Sequence, residues 1–268
     1  MARNQVSLDT ICASLTYALG IEAPEHAAAP SKDLCEYIDK SFGGEKADRI
    51  LMYNPDAIGQ WLYEKYPYLL LETEKRTDLK VPFAAPMPTV TPVCFATMYT
   101  GTQPEAHGIR KYERPVLKAD TVFDALIRAG KKPAIVAHTK CTFSCIFIER
   151  DMAYFTYPTV EEIHAKVAEL IIEDKYDFIA IHAANFDTRM HKKGPESIEA
   201  LSELKVNTAA YGIFDALVQT HWKKHNVFMG YAMDHGCHEI EGEAGSHGLD
   251  MLEDVNIIHF YKAYKKEM

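Results

Sequence analysis

The sequence lacks any apolar run long enough to cross a membrane. A membrane-spanning helix needs about 18 or more consecutive apolar residues, and no stretch of the 268-residue chain approaches that length. The first ten residues, MARNQVSLDT, contain no apolar segment after the arginine and do not resemble a secretory signal peptide. We therefore expect no membrane partner and a cytoplasmic location.

Cysteine is present but lacks the spacing of a zinc site. Of the six cysteines, only Cys141 and Cys145 lie close together, with three residues between them, and no second pair completes a metal-binding set. Without a secretion signal, free thiols are favoured over disulfides. The cysteines therefore predict neither a zinc finger nor a disulfide framework.

An excess of positive charge is also lacking. The chain has 29 Lys and Arg residues against 38 Asp and Glu residues, and its formal net charge is -9. A surface that binds nucleic acid needs a basic patch, so we expect no nucleic-acid partner. Acidic proteins can nevertheless bind phosphate esters when metal ions supply positive charge locally. Small anionic substrates therefore remain compatible with this composition.

No internal repeat, low-complexity tract or linker divides the chain, which predicts a single domain over residues 1–268 with an N-terminal helical extension at 1–48. Apolar runs alternate with helical patterns, which favours an α/β fold: a doubly wound, mostly parallel sheet with helices on both faces. Helices are predicted at 8–19, 34–42, 58–66, 120–129, 159–172 and 197–220, and in the later part of 87–101. Strands are predicted at 50–54, 69–71, 81–83, 133–138, 147–150, 152–157, 177–182, 227–233 and 255–261.

Six Asp and His residues lie just past predicted strands. The carboxyl ends of parallel strands meet at one edge of a sheet, so we expect these side chains to share that edge. Mixed carboxylate and imidazole ligands suit zinc or manganese, whereas calcium prefers oxygen alone. Six ligands exceed the need of one catalytic ion, but two ions about 3.5–4 Å apart could share them. The six residues are Asp56, Asp187, His191, Asp234, His235 and His247.

Five sequence motifs lie between residues 50 and 261, and four of them contain these residues. They are NPDAIG at Asp56, PTVTPVCFATMYTGTQPEAHGI at 88–109, FDTRMHKKGP at 186–195, MDHG at 233–236 and SHG at 246–248. Together they resemble the alkaline phosphatase superfamily, in particular its branch of type I phosphodiesterases and nucleotide pyrophosphatases. Phosphonoacetate hydrolase and the cofactor-independent phosphoglycerate mutases are relatives of that branch.

The resemblance implies a nucleophile and two metal ions. In that family a Thr or Ser nucleophile precedes the Gly of a Thr-Gly pair by ten residues, which from Gly101 leads to Thr91. Thr89 is the competing hydroxyl, two residues out of register. A helix N-terminus at this position would favour a phosphate group. By the same resemblance one divalent ion is held by Asp56, Thr91, Asp234 and His235, and the other by Asp187, His191 and His247, with zinc favoured and manganese the alternative.

The chain departs from the family in two respects. Cys94 stands where the phosphodiesterase branch often has an Asn that binds a phosphoryl oxygen, and a thiol is a weak donor. Between Thr91 and Asp187 the sequence has only core-like elements, so we expect no large cap domain such as the mutases carry. Water is then the expected acceptor, which favours a hydrolase over a mutase.

The sequence therefore predicts a metal-dependent phosphoesterase that acts on a small phosphate-ester or nucleotide-like substrate. The alternatives are a phosphomutase whose partner subunit replaces the cap, and a non-catalytic protein that binds metal or a phosphate ester. His182 and Asn185 are further candidates for lining the site, whereas His107 is expected to be structural. The oligomeric state is left open.

Overall fold

The computed structural model describes residues 2–241 and 244–267. Apolar runs of alternating or continuous character form strands, and most of these lie in one eight-stranded sheet. In chain order the strands are β1 (Val6–Ser7), β2 (Arg49–Pro55), β3 (Leu79–Ala84), β4 (Pro133–His138), β5 (Ala153–Tyr157), β6 (Phe178–Ala183), β7 (Val227–Tyr231), β8 (His238–Ile240), β9 (Ala244–Ser246) and β10 (Asn256–Tyr264).

The main sheet has the order β1-β3-β10-β7-β2-β6-β4-β5. All neighbouring strands in it are parallel except β10, which runs antiparallel to both β3 and β7. The remaining two strands, β8 and β9, form a small antiparallel hairpin. The predicted mostly parallel α/β sheet is confirmed.

Helices cover both faces of this sheet. On one face the imidazole of His182 stacks on Phe143 and meets the edge of Phe95, and on the other Tyr53 packs against Phe214. In chain order the helices are α1 (Thr10–Leu19), α2 (Lys32–Phe42), α3 (Gln60–Lys65), α4 (Leu71–Glu74), α5 (Thr91–Thr100), α6 (Pro104–His107), α7 (Val122–Arg128), α8 (Thr142–Ile146), α9 (Val160–Glu173), α10 (Asn185–Lys193), α11 (Ile198–His221) and α12 (Leu252–Val255).

Local sequence explains why several helices begin where they do. Thr121 and Asp124 form a capping box at the start of α7, and Thr159 and Glu162 form another at the start of α9. Each pair satisfies backbone N–H groups that the first helical turn leaves without partners. None of the helices within the described ranges is long and apolar enough to span a membrane.

Two predicted strands are wrong. Residues 69–71 end a short 3₁₀ turn and start α4, because β3 already pairs with β1 and β10 and has no free edge for them. The carbonyl of Leu69 instead accepts a hydrogen bond from Thr208 on α11. Residues 147–150 follow α8 without forming a strand, since Phe147 packs into an aromatic cluster with Phe123.

Residues 2–48 contribute a strand as well as the predicted helices. The strand β1 extends the sheet by pairing with β3, and Cys12 on α1 donates to the carbonyl of Tyr99 on α5 at 3.3 Å. This segment therefore packs beside the helix that begins at Thr91. Among the described residues, nothing forms a large cap over the carboxyl edge of the sheet, as expected.

Candidate active site at the carboxyl edge of the sheet

The predicted site residues converge at one edge of the sheet because three neighbouring strands end there. Asp56 follows β2, Asp187 follows β6, and Asp234 follows β7, and these strands are adjacent in the order β7-β2-β6. The ligand atoms form two groups, and within each group they lie within 4.8 Å of one another. The inner cluster is Asp56, Asp234 and His235, and the outer cluster is Asp187, His191 and His247.

The inner cluster is buried and lies beside the hydroxyl of Thr91. Thr91 Oγ1 is 3.4 Å from Asp56 Oδ1 and 3.3 Å from His235 Nε2. His235 Nε2 is in turn 3.3 Å from Asp234 Oδ2. Thr91 is the first residue of α5, so the positive end of the helix dipole faces the same point. The arrangement suits a hydroxyl that shares a cation with two carboxylates and an imidazole.

The outer cluster is more open to solvent. Asp187 Oδ1 lies 3.2 Å from His191 Nε2 and 3.5 Å from His247 Nε2, and the two imidazole nitrogens are 3.1 Å apart. The side chain of His191 is 41% exposed, whereas that of His235 in the inner cluster is fully buried. The aromatic rings of His235 and His247 have centroids 4.1 Å apart, so the two clusters adjoin.

All three imidazoles are oriented by backbone carbonyls. The Nδ1 atoms of His235, His191 and His247 lie 2.9, 3.0 and 2.9 Å from the carbonyl oxygens of Gly236, Gly245 and Thr89. Donation from Nδ1 to a carbonyl leaves the lone pair on Nε2, which is the tautomer that binds a metal. Each Nε2 points into its cluster, so the donor set fits a cation in each one.

Unsatisfied carboxylate oxygens support the same conclusion. Asp234 Oδ2 and Asp187 Oδ1 are buried and receive no hydrogen bond from any residue that the structure describes. A buried anionic oxygen without a hydrogen-bond donor is costly, because it loses its water. In the outer cluster the nearby imidazoles of His191 and His247 offset part of that cost for Asp187. One such oxygen lies in each cluster, where a divalent cation would neutralise it.

Burial and neighbouring charges shift the pKa values of the three carboxylates in different directions. Burial, followed by the charges of Asp234 and Asp187, raises the pKa of Asp56 to about 6. Burial raises the pKa of Asp234 to about 7. In Asp187 burial acts in the same direction, but interactions with His191 and His247 outweigh it and lower the pKa below its ordinary value. A bound cation would stabilise the ionised form of all three carboxylates.

The imidazoles divide between neutral and charged forms. Burial, reinforced by the charge of His247, lowers the pKa of His235 to about 4. The imidazole of His235 is therefore neutral at pH 7 and can offer its Nε2 lone pair to a metal ion. Burial also lowers the pKa of His247, but Asp187 more than offsets it and raises the value to about 9. In the outer cluster a metal ion would therefore have to displace a proton from His247.

The structure separates the two candidate hydroxyls. Thr89 lies outside both clusters, and its Oγ1 accepts a hydrogen bond from the backbone N–H of Gly248 at 3.0 Å. Its carbonyl orients His247, so Thr89 holds the outer cluster in place. Thr91 alone of the pair has its hydroxyl beside the inner cluster. Cys94 is fully buried in α5.

Of the three remaining candidate residues, only His182 contacts a residue of the two clusters in the part of the chain that the structure describes. His182 contacts the site, because its Nε2 lies 2.9 Å from Asp56 Oδ2. Burial alone lowers the pKa of His182, but the hydrogen bond to Asp56 helps to raise it well above its ordinary value. Asn185 points elsewhere and donates to Glu203. His107 is structural as expected, with Nε2 3.0 Å from Thr97 Oγ1.

Sequence reasoning missed a carboxylate that secures the outer cluster. Asp254 is fully buried, its Oδ1 lies 2.7 Å from His238 Nδ1, and its Oδ2 accepts the N–H of Leu249 at 2.9 Å. These contacts join both ends of the loop that contains Gly245 and His247. The only signal for it in the sequence is an Asp just before an apolar strand, which is too common to be informative.

Solved structures share this fold. Murine ectonucleotide pyrophosphatase/phosphodiesterase 5 matches with a TM-score of 0.55 at 16% identity, covering 72% of this chain and 58% of that one. The C-terminal periplasmic domain of a phosphoethanolamine transferase from Campylobacter jejuni matches with a TM-score of 0.59 at 14% identity, covering 82% and 80%. Phosphonoacetate hydrolase from Sinorhizobium meliloti matches with a TM-score of 0.52 at 15% identity, covering 73% and 59%.

These matches confirm the alkaline-phosphatase-like fold that the motifs predict. The chain spans about 58% of the length of the murine structure. A second structure of the murine protein is an inactive threonine-to-alanine variant in complex with AMP. No protein-family model matches the sequence, and no curated protein matches it either.

Proposed function

We propose that this protein is a metal-dependent phosphoesterase in which Thr91 is the nucleophile. One observation carries the proposal: the hydroxyl of Thr91 lies 3.3–3.4 Å from the inner cluster, which itself adjoins the outer cluster. A hydroxyl beside two adjacent cation-binding groups is the arrangement that phosphoryl transfer needs. The shared fold with phosphoesterases and the inactive threonine variant of the murine protein support it.

Two divalent ions would be held by the residues of the two clusters. Asp56, Asp234, His235 and Thr91 would hold one, and Asp187, His191 and His247 the other, with zinc favoured over manganese by the mixed nitrogen and oxygen donors. When bound, such ions supply positive charge to the phosphoryl oxygens and lower the pKa of a coordinated hydroxyl. His182 orients Asp56 by contacting its Oδ2, and the other oxygen, Asp56 Oδ1, is then directed at Thr91.

At the start of α5 two positions offer a phosphate little hydrogen bonding. Pro92, the second residue of α5, has no N–H, so this helix end offers fewer free amides than usual. Cys94 replaces the Asn of the phosphodiesterase branch with a weak donor. Neutralisation of the phosphoryl group would therefore depend on the two cation-binding clusters more than on hydrogen bonds.

In the proposed reaction Thr91 Oγ1 forms a bond to phosphorus while the bond to the leaving oxygen breaks. The leaving oxygen takes that electron pair and a proton. Water then attacks the phosphothreonine, and Thr91 regains its proton. Overall one water is consumed, and an ester is converted into an alcohol and a phosphate with one ester bond fewer. Small phosphate esters, including nucleotide-like ones, are the proposed substrates.

A direct test compares Thr91→Ala with Thr91→Ser. Alanine removes the attacking oxygen, so turnover of p-nitrophenyl phosphate and bis-p-nitrophenyl phosphate should fall to background, whereas serine should retain part of it. Circular dichroism and thermal unfolding check that both variants fold. Full activity in Thr91→Ala would refute the nucleophile. Release of inorganic phosphate from a monoester supports a hydrolase, whereas transfer of the phosphate within the substrate would support a mutase.

A further inference from the structure

Helix α11 carries apolar side chains on its outer face as well as on its inner face. The inner face, which includes Leu204, Tyr211 and Phe214, is buried against the rest of the protein. On the outer face the side chain of Val206 is 39% exposed and that of Ile213 is 58% exposed. A helix that is apolar on all sides is normally buried, so this outer face indicates a contact with another molecule.

The exposed residues of α11 recur at the spacing that two packed helices use. Alternating steps of three and four residues place side chains on one line along a helix, and this line is where a second helix packs. From the first turn of α11 to its last, seven residues at these steps are all exposed. We call them the outer stripe: Glu199, Ser202, Val206, Ala209, Ile213, Ala216 and Thr220.

A groove runs along each side of the apolar middle of this stripe, residues 206–216. One groove, of about 420 Å³, has α9 as its other wall, with Ala165 and Ala168. The second groove, of about 470 Å³, has α4 as its other wall, with Glu72 and Arg76. The charges of Glu72 and Arg76 are paired with each other at 2.7 Å. The stripe and its two grooves therefore suit a partner helix with an apolar face.

Large and small side chains alternate along the middle of the stripe. Val206 and Ile213 alternate with Ala209 and Ala216. Consider two copies of α11 packed antiparallel about a twofold axis that passes level with Tyr211. Ala209 of one copy then lies against Ile213 of the other, and Val206 lies against Ala216. Every large side chain meets an alanine, so the two helices can approach closely and interlock.

The two ends of α11 carry opposite charge. Glu199 is exposed in the first turn, and Lys223 and Lys224 are exposed just after the last helical residue, His221. The antiparallel pairing that matches Ala209 with Ile213 also matches Glu199 with Lys223, whereas a parallel pairing would place two Glu199 side chains together. Lys223 lies 3.6 Å from Glu267, and both side chains are more than half exposed, so this ion pair is weak.

We propose that the outer stripe of α11 is the contact surface for a second copy of this chain, with the two α11 helices antiparallel about a twofold axis. Such an interface must be self-complementary, and the stripe is so in both side-chain size and charge. Apolar contacts in its middle would supply the affinity, and the charges at its ends would set the orientation. None of its residues belongs to the two clusters, so the dimer does not depend on the proposed function.

Sedimentation velocity of the purified protein between about 1 and 100 µM tests this, because that range covers interfaces of moderate affinity. Wild-type protein should be a dimer at the upper end of the range. Ile213→Glu places two charges in the apolar middle and should raise the Kd of the dimer by on the order of 100-fold or more. Circular dichroism checks that the variant folds.

Ile148→Glu is the matched control. Ile148 is 47% exposed and follows Phe147, which packs against Phe143 on the face of the sheet opposite to α11. This variant should sediment as the wild type does. A wild type that is monomeric at about 100 µM, a dimer that survives Ile213→Glu, or a dimer that is lost in Ile148→Glu would overturn the proposal.

Charge reversal tests the antiparallel orientation. Glu199→Lys, and separately the pair Lys223→Glu and Lys224→Glu, place like charges together at both ends of the dimer, so each should raise Kd by about tenfold. An equimolar mixture of the two proteins restores opposite charges at both ends, and heterodimers should form at the concentrations at which the wild type dimerises. Homodimers as tight as the wild type, or a mixture that does not regain association, would overturn the antiparallel dimer.

Discussion

The inner and outer clusters differ in how the chain holds them. Asp56 and Asp234 of the inner cluster follow adjacent parallel strands, and backbone hydrogen bonds continue past the strand ends: Asp56 N–H donates to Ala183, and Ala232 N–H to Tyr53. The outer cluster comes from α10 and a loop after β9. The His191 side chain of the outer cluster is 41% exposed and those of Asp187 and His247 are 18% and 6% exposed, whereas the residues of the inner cluster are all buried.

This difference indicates that the ligands of the two clusters are held with different firmness. Sheet hydrogen bonds hold the ligands of the inner cluster in place even when no cation is bound. We therefore expect the distances from these ligands to Thr91 Oγ1 to change little when a cation binds. The outer ligands depend on contacts from outside the sheet, above all on Asp254 and on the carbonyl of Thr89. We therefore expect the outer cluster to exchange its ion more readily.

The largest expected effect comes from Asp234→Asn in the inner cluster. The substitution removes a buried anionic metal ligand beside His235. We therefore expect kcat/KM for bis-p-nitrophenyl phosphate to fall by more than about 100-fold. Loss of a residue that only hydrogen-bonds to a metal ligand typically costs roughly 10–100-fold. Metal content by elemental analysis should fall in parallel. Asp151→Asn, at an exposed position, is the control. Undiminished activity and metal content in Asp234→Asn would contradict the inner site.

A smaller effect is expected from Asp254→Asn, because the carboxylate of Asp254 contacts the two ends of the loop that carries His247. Weaker contacts to His238 and Leu249 should loosen the loop that carries His247. The affinity for one of two metal ions should then decrease by about 10–100-fold, while the other stays unchanged. Titration of chelator-treated protein with zinc measures both affinities.

Glu253→Gln is the matched control for this variant, because it changes the neighbouring carboxylate without touching the loop contacts. Thermal unfolding of the chelator-treated proteins checks that Asp254→Asn still folds. Equal weakening of both ions would show that Asp254 supports the site as a whole and would remove the distinction between the clusters.

The smallest effect concerns the stability of the metal-free protein. Burial raises the pKa of Asp234 from 3.8 to about 7. A raised pKa contributes stability that is complete below the unfolded value and is lost as pH rises through the folded value. Chelator-treated wild type should therefore lose stability between pH 4 and pH 7 relative to Asp234→Asn, which cannot ionise at this position.

Thermal unfolding at pH 4 and pH 8 measures this difference. The two proteins should have similar Tm values at pH 4, and the variant should be the more stable one at pH 8. A difference of 1 kcal/mol corresponds to roughly 2–4 °C for a protein of this size, so the effect is measurable. A wild-type Tm at or above that of Asp234→Asn at pH 8 would contradict the electrostatic account of the inner cluster.

Much of the candidate site follows from local sequence. Apolar runs that end in Asp or His predict ligands at strand ends, and the capping boxes at Thr121 and Thr159 predict two helix starts. The runs at 69–71 and 147–150 show where this reasoning fails. Residues 69–71 find no free edge on β3, and Phe147 packs into an aromatic cluster instead. No local pattern records either fact.

The contacts of the supporting residues could not be predicted from local patterns. His182 is expected to line the site, but nothing in the sequence around it indicates that its ring contacts Asp56, which lies 126 positions away. The same holds for Asp254, whose two hydrogen bonds join the ends of the loop that carries His247. Such contacts depend on packing across elements, which local propensity does not encode.

The sequence by itself determined which side chains reach strand ends, because apolar periodicity and turn residues act over a few positions. Only the tertiary structure decided which of those ends meet. The order β7-β2-β6 brings Asp234, Asp56 and Asp187 together, although the chain visits these strands in another order. The division into a fully buried cluster and a partly exposed one is likewise a result of strand order and loop packing, since both depend on contacts between distant parts of the chain.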